Sequence, residues 1–324
     1  MSLGLHLLEL EITTRCNLNC KHCYNRSFVK KDLEIKTITN FIDFCFENKV
    51  YTLVFTGGEA CLHPKFEDIT KYLKKKIDEK SDFKPRLVLQ SNGILLTKFD
   101  RSLLDVFDLF HISYDISDAV RTSIDHIPST IDYLKENDLN PYLFSTIHKA
   151  NIDRLDDMIK FASSSDVDIS FNIIQPSKQT EHLGFNKREY MEVCNTLYNL
   201  YKDKKILRPS CPLISLLDKD KSLKEYQGNK GGCTAGIAAC SIDAEGNVLP
   251  CAFLRKKCGN IFKESLKDIW ANSKIFKVLR DRSRYDEPCR SCDRLSYCGG
   301  CRSRAYEATG KLTGHDPMCF RGLL

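Results

Sequence analysis

Two hydrophobic periods alternate along the first half of the chain. The run LHLLELEIT (5 to 13) reads as a buried strand, and after it Ile35, Ile38, Phe41, Ile42, Cys45 and Phe46 recur at helical spacing. The strand TLVF follows within 51 to 55, then a helix near 65 to 78, the strand RLVLQ (86 to 90), a helix near 99 to 106 and the strand LFHIS (109 to 113). A helix near 127 to 137, the strand PYLFSTI (141 to 147), a helix carrying Ile152, Leu155, Ile159 and Ala162 on one face, and the strand DISFNII (168 to 174) complete the series. Strand and helix in regular alternation predict an α/β fold with a parallel sheet, here a partial (β/α)6 barrel.

The pattern changes after a helix near 187 to 203, whose Tyr190, Cys194, Leu197 and Tyr201 share a face. Three parts are expected: a barrel over 1–204, a linker over 205–227, and a cysteine-rich extension over 228–324. Within the extension, 233 to 251 reads as a hairpin turning at EGN, and a later helix buries Leu266, Ile269, Trp270 and Phe276.

Composition narrows the function classes. At 324 residues and 42% apolar content the chain can form one large unit and a smaller one. Neither a run of eighteen apolar residues nor a signal peptide is present, so a cytoplasmic protein is expected, with no membrane association. A net charge of +6 is modest, and lysine runs such as KYLKKK (71 to 76) read as solvated helix faces rather than a nucleic-acid site. Sixteen cysteines without an export signal point to metal ligation rather than disulfides.

The chemistry gathers where the strands end, as ligand sites do in parallel βα folds. Cys16, Cys20 and Cys23 lie in the loop after the first strand. A [4Fe-4S] cluster is normally held by four thiolates, so three leave one iron open to a small molecule. Gly57 and Gly58 allow a sharp turn after the second strand, with Glu59 available to pair a cation. Together, CNLNCKHCYN, FTGGEA (55 to 60) and QSNGI (90 to 94) resemble the radical S-adenosylmethionine (SAM) enzymes. The resemblance implies that the open iron chelates SAM, that Glu59 meets its amino group, and that Ser91, Asn92, Ser113 and Asp115 contact ribose and the methionine carboxylate. It further implies that Arg121 pairs with that carboxylate and that Tyr24 lies beside adenine. Ala60 stands where the family often has proline.

Nine more cysteines fall between Cys233 and Cys319. Their order resembles the SPASM extension of radical SAM enzymes, which implies two auxiliary [4Fe-4S] clusters, three in all. The family pattern gives Cys233, Cys240, Cys251 and Cys301 to one, and Cys289, Cys292, Cys298 and Cys319 to the other. Two departures stand out: CGGC (298 to 301) is one residue short, and Cys258 replaces an apolar residue and competes with Cys240 as a ligand. A Cys₄ zinc site built from Cys289, Cys292, Cys298 and Cys301 is the alternative, which strands the other five. Outside both groups, Cys45 and Cys194 read as core residues, while Cys61 at the barrel mouth and Cys211 at the domain junction are candidate hydrogen donors to a substrate radical.

Relatives with this extension mostly modify peptides or proteins, by crosslink, epimerisation or oxidation. The resemblance therefore implies a peptide or protein substrate and an external low-potential electron donor, and, because the first strand starts by residue 5, any leader recognition is expected from a separate leader-recognition protein or from the barrel surface. Cofactor maturation, such as haem-type decarboxylation or metalloenzyme activation, is the enzymatic alternative. An iron–sulfur electron carrier or a zinc-bearing nucleic-acid binder is the non-enzymatic one.

Overall fold

The computed structural model describes residues 3–24, 29–79, 82–117, 124–176, 180–218 and 232–324. Six strands and their helices follow the predicted order: β1 (Leu7–Thr13), α1 (Ile35–Glu47), β2 (Thr52–Gly57), α2 (Phe66–Asp78), β3 (Arg86–Ser91), α3 (Arg101–Leu104), β4 (Leu109–Ser113), α4 (Ile127–Glu136), β5 (Pro141–Ile147), α5 (Leu155–Ser164) and β6 (Ile169–Ile173). After α6 (Lys187–Lys202) come β7 (Ala239–Ile242), β8 (Asn247–Leu249), β9 (Gly259–Asn260), α7 (Leu266–Asn272), α8 (Lys274–Arg280) and α9 (Arg302–Thr309).

All nine strands form one sheet, in the order β6-β5-β4-β3-β2-β1-β7-β8-β9. Every pair from β6 to β7 is parallel, and the open parallel sheet of the α/β class is the observed architecture. The extension does not hang on a tether. Its first strand joins the barrel by pairing with β1, Leu8 opposite Cys240 and Glu9 opposite Ser241.

That pairing sorts side chains to two faces, because neighbours along a strand point opposite ways. Leu8, Leu10 and Ile12 are fully buried and belong to the core, to which α1 contributes Ile38, Phe41, Ile42 and Cys45. Burying each large aliphatic side chain contributes about 1.5–3 kcal/mol, so this layer fixes the register of β1. Glu9, Glu11 and Thr13 are left on the other, concave face.

Three local outcomes differ from the sequence expectation. The helix near 99 to 106 shrinks to one turn, with Asp100 accepting from the Ser102 amide at 2.8 Å. The single helix through Trp270 and Phe276 breaks at Ser273, whose backbone is extended between α7 and α8. In the expected linker, the Leu207 and Ser210 amides donate to Ile169 and Phe171 of β6, and Leu213 and Ile214 are buried. Its remainder, 219–227, lies outside the described residues. By contrast α6 starts where predicted, because Asn186 and Glu189 form a reciprocal capping box.

Candidate active site

The loop after β1 is stitched to the ends of the neighbouring strands. Asp32 accepts from Thr13 Oγ1 at 2.6 Å and pairs with Arg15 at 2.9 Å, anchoring the loop's start. The Gly58 and Glu59 amides donate to the Thr13 and Arg15 carbonyls at 2.8 and 2.6 Å. Contact is so close that a Cβ on Gly57 would sit 2.3 Å from the Thr13 carbonyl oxygen, and one on Gly58 2.3 Å from that of Arg15. Asn92 Nδ2 donates to Asn17 Oδ1 at 2.8 Å, holding the loop from β3 as well. Cys16 and Cys23 remain exposed on it, and the Cys23 amide donates to the Cys20 carbonyl.

Glu59 is 1% exposed. Its Oε1 accepts from Ser91 Oγ at 2.9 Å and the Cys61 amide at 3.2 Å, and its Oε2 from the Asn92 amide at 2.8 Å. Burial raises its pKa in spite of these donors. All three are neutral, so a buried carboxylate faces the loop with no ion pair among the described residues, a place suited to a cationic ligand. Three thiols on one exposed loop beside such a carboxylate fit an iron–sulfur group with a cationic co-ligand.

Asp115, just beyond β4, accepts from Ser145 Oγ at 3.1 Å and the Thr146 amide at 2.6 Å. Its other oxygen lies 3.5 Å from His22 Nε2, so β4 and β5 also hold the loop. His148, after β5, is fully buried with its ring 5.7 Å from that of His22. Burial, helped by His22, pushes His148 down to about 4, which keeps it neutral. Among the described residues, neither of its ring nitrogens, nor His22 Nδ1, has a hydrogen-bond partner. Sequence reasoning missed both histidines, although His22 stands between Cys20 and Cys23.

Other expected residues have diverse placements. Ser113 ends β4 opposite Phe144, and Arg121 lies outside the described residues. Tyr24 turns toward the extension, where its hydroxyl donates to Glu9 at 3.5 Å and its ring packs 4.9 Å from Phe253. Desolvation and the neighbouring Glu11 push Glu9 up to about 7. Glu11 is held by Arg255 at 3.0 Å, and Arg255 also reaches Asp243 at 3.5 Å. Cys61 is buried beside Glu59, and burial and that carboxylate raise its thiol well above the usual range. Cys211 sits elsewhere, 3.2 Å from the Tyr190 hydroxyl and 4.0 Å from Cys194. Burial opposes its thiolate, but Cys194, the Arg304 charge and Tyr190 outweigh it and lower the pKa.

The cysteines of the extension separate into two sets. Cys251 has Cys233 and Cys301 among its neighbours, and Cys301 has Cys233. Cys289 has Cys319 and Cys292, while Cys298 has Cys319. Gly299 and Gly300, both left-handed at φ 65° and 60°, turn the shortened CGGC segment so that Cys298 and Cys301 enter different sets. Cys240, in register with Leu8, lies in the core with Cys45 and Cys258 among its neighbours.

Comparison with known proteins decides the family. A profile of the Radical SAM superfamily matches residues 10–174, half of the chain. The chain belongs to the radical SAM superfamily. A second profile, SPASM, an iron-sulfur cluster-binding domain, matches residues 233–293, so this is a radical SAM enzyme with a SPASM extension that uses SAM and iron–sulfur clusters. The chain is 26% identical to the AdoMet-dependent heme synthase of Methanosarcina barkeri (strain Fusaro / DSM 804), over 97% of this chain and 96% of that one. It is 27% identical to the antilisterial bacteriocin subtilosin biosynthesis protein AlbA of Bacillus subtilis (strain 168), over 90% of this chain and 66% of that one. Among solved structures, Streptococcus suis SuiB bound to S-adenosylmethionine shares the fold with a TM-score of 0.76 at 16% identity, covering 97% of this chain and 77% of that chain. Native anSMEcpe with bound AdoMet does so with a TM-score of 0.75 at 19% identity, covering 98% and 95%. No helix among the described residues is long and apolar enough to cross a membrane.

Proposed function

We propose that this radical SAM enzyme modifies a peptide or protein, with an external low-potential donor and with the two cysteine sets of the extension holding auxiliary clusters. A [4Fe-4S] cluster on Cys16, Cys20 and Cys23 supplies, when bound, the electron that cleaves SAM to methionine and a 5′-deoxyadenosyl radical. The chain's own residues do the positioning: Glu59 receives the SAM ammonium, Asn92 fixes the loop through Asn17, and Asp115 with His22 holds the loop from the side of β4. His148, fully buried beside His22, offers neutral ring nitrogens.

One observation supports the substrate class: the likeness over 90% of this chain to AlbA, a bacteriocin biosynthesis protein. Similarity over nearly full length to a heme synthase favours the second reading, decarboxylation of a propionate-bearing iron tetrapyrrole. Reduced enzyme with SAM separates them: a mass change in a precursor peptide supports the first, and loss of carbon dioxide from the tetrapyrrole with no peptide product overturns it.

Between the two candidate hydrogen donors, Cys61 is better suited. Transfer of a hydrogen atom needs an intact S–H bond, which burial preserves at Cys61, whereas Cys211 is biased toward thiolate. In deuterated solvent, Cys61→Ala is expected to lower deuterium incorporation into product. Unchanged incorporation would dismiss the role.

A further inference from the structure

Cys194 and Cys211, seventeen residues apart in the chain, bring their sulfurs to within 4.0 Å of each other. Cys194 lies on the inner face of α6 and is fully buried, while Cys211 is half-buried at the start of a short 3₁₀ turn, Pro212–Leu216. Both backbones are held in place: α6 by its capping box, and the segment before Cys211 by the Ser210 amide, which donates to Phe171 of β6. Closing a sulfur–sulfur bond of about 2.05 Å therefore asks each sulfur to move by about 1 Å.

The two thiols are not equivalent. Arg304 Nη1 donates to the Tyr190 hydroxyl oxygen at 2.6 Å, so the hydroxyl's own proton points to Cys211 Sγ, 3.2 Å away. The Arg304 charge behind this hydroxyl favours a thiolate at Cys211, while burial keeps Cys194 a thiol. Thiol–disulfide exchange uses this asymmetry: an attacking thiolate that a reagent can reach, and a second thiol beside it to resolve the product.

We propose that Cys194 and Cys211 form a reversible redox pair that takes low-molecular-weight disulfides as its oxidant, with Cys211 attacking and Cys194 resolving. The Cys211 thiolate bonds to one sulfur of the small disulfide, whose S–S bond breaks and expels one thiolate. Cys194 then gives up its proton to solvent and bonds to Cys211 Sγ, and the second small thiolate leaves. Two protein thiols are oxidised, and one small disulfide is reduced to two thiols. The cross-link removes the thiolate that accepts from Tyr190. Because Arg304 also holds Asp316, which accepts from the Cys301 amide at 2.7 Å, the change reaches the frame of the extension. The pair goes beyond the proposed function, since it needs neither SAM nor the enzyme's substrate.

The full-length, iron-loaded enzyme, kept without oxygen, is treated with glutathione disulfide, quenched in acid, alkylated and mapped by mass spectrometry. The expected product is a cross-link between Cys194 and Cys211, with unchanged iron and full reversal by dithiothreitol. Cys194→Ser should instead stop at a stable glutathione adduct on Cys211. Tyr190→Phe, which loses the hydroxyl that supports the thiolate, should slow cross-linking by about threefold to tenfold. Absence of the cross-link in the unaltered protein would overturn the pair, as would a lasting glutathione adduct on Cys211 beside an intact Cys194. An unchanged rate in Tyr190→Phe would overturn the assignment of Cys211 as the thiolate that attacks. The cross-link is read in the unaltered protein, so poor folding of a variant cannot decide the outcome.

Discussion

The loop of Cys16, Cys20 and Cys23 and the cysteine sets of the extension are built in contrasting ways. On the loop, two of three thiols are exposed and polar contacts from β2, β3 and β4 hold the backbone. In the extension, Cys251 and Cys298 are desolvated and their thiol pKa values raised, with the Arg304–Asp316 pair buried beneath Cys301. An exposed group held by its surroundings suits exchange of a co-substrate. Half-buried thiols in a rigid frame suit a group that stays bound.

Breaking each frame should therefore cost different amounts. Arg304 donates to both oxygens of Asp316 at 2.9 and 2.7 Å and to Tyr190 at 2.6 Å. Arg304→Ala leaves Asp316 buried without its partner and is expected to destabilise the protein by about 3–5 kcal/mol, read by denaturant unfolding. Next in size is Gly58→Ala, whose Cβ meets the Arg15 carbonyl. Overpacking of this kind costs up to about 3 kcal/mol, and here it should displace the loop: iron falls by about four and SAM cleavage is lost while the extension keeps its iron.

The concave face between the two regions offers a pH test. Folding raises Glu9 to about 7 from 4.5, so the folded state binds more protons and stability falls as pH rises through that window. Glu9→Gln should flatten the slope and raise stability at pH 8 by about 2 kcal/mol after discounting for partial exposure, as thermal unfolding across pH will show. An unchanged slope contradicts the assignment. Smallest of all, Arg15→Ala removes a solvent-screened pair and should leave the unfolding midpoint nearly unchanged.

Much of the barrel was legible because its signals are local. β4 and β5 fall on their predicted residues, since alternation and flanking turns mark them, and Glu59, Ser91 and Asn92 meet because parallel strands place their carboxyl ends on one rim. What stayed hidden depends on distant pairing. Cys240 is a ligand or a core residue according to a single step of register against β1, which no spacing of cysteines encodes. His22 and His148 were illegible for a related reason: only the curvature that joins β1 to β4 and β5 brings them together with Asp115.

The central claim is that the radical begins at the exposed loop and nowhere else. Replacing Cys16, Cys20 and Cys23 by alanine and assaying 5′-deoxyadenosine with dithionite and SAM tests it directly. Complete loss of 5′-deoxyadenosine with about eight iron retained is the predicted result; persistent cleavage would contradict it.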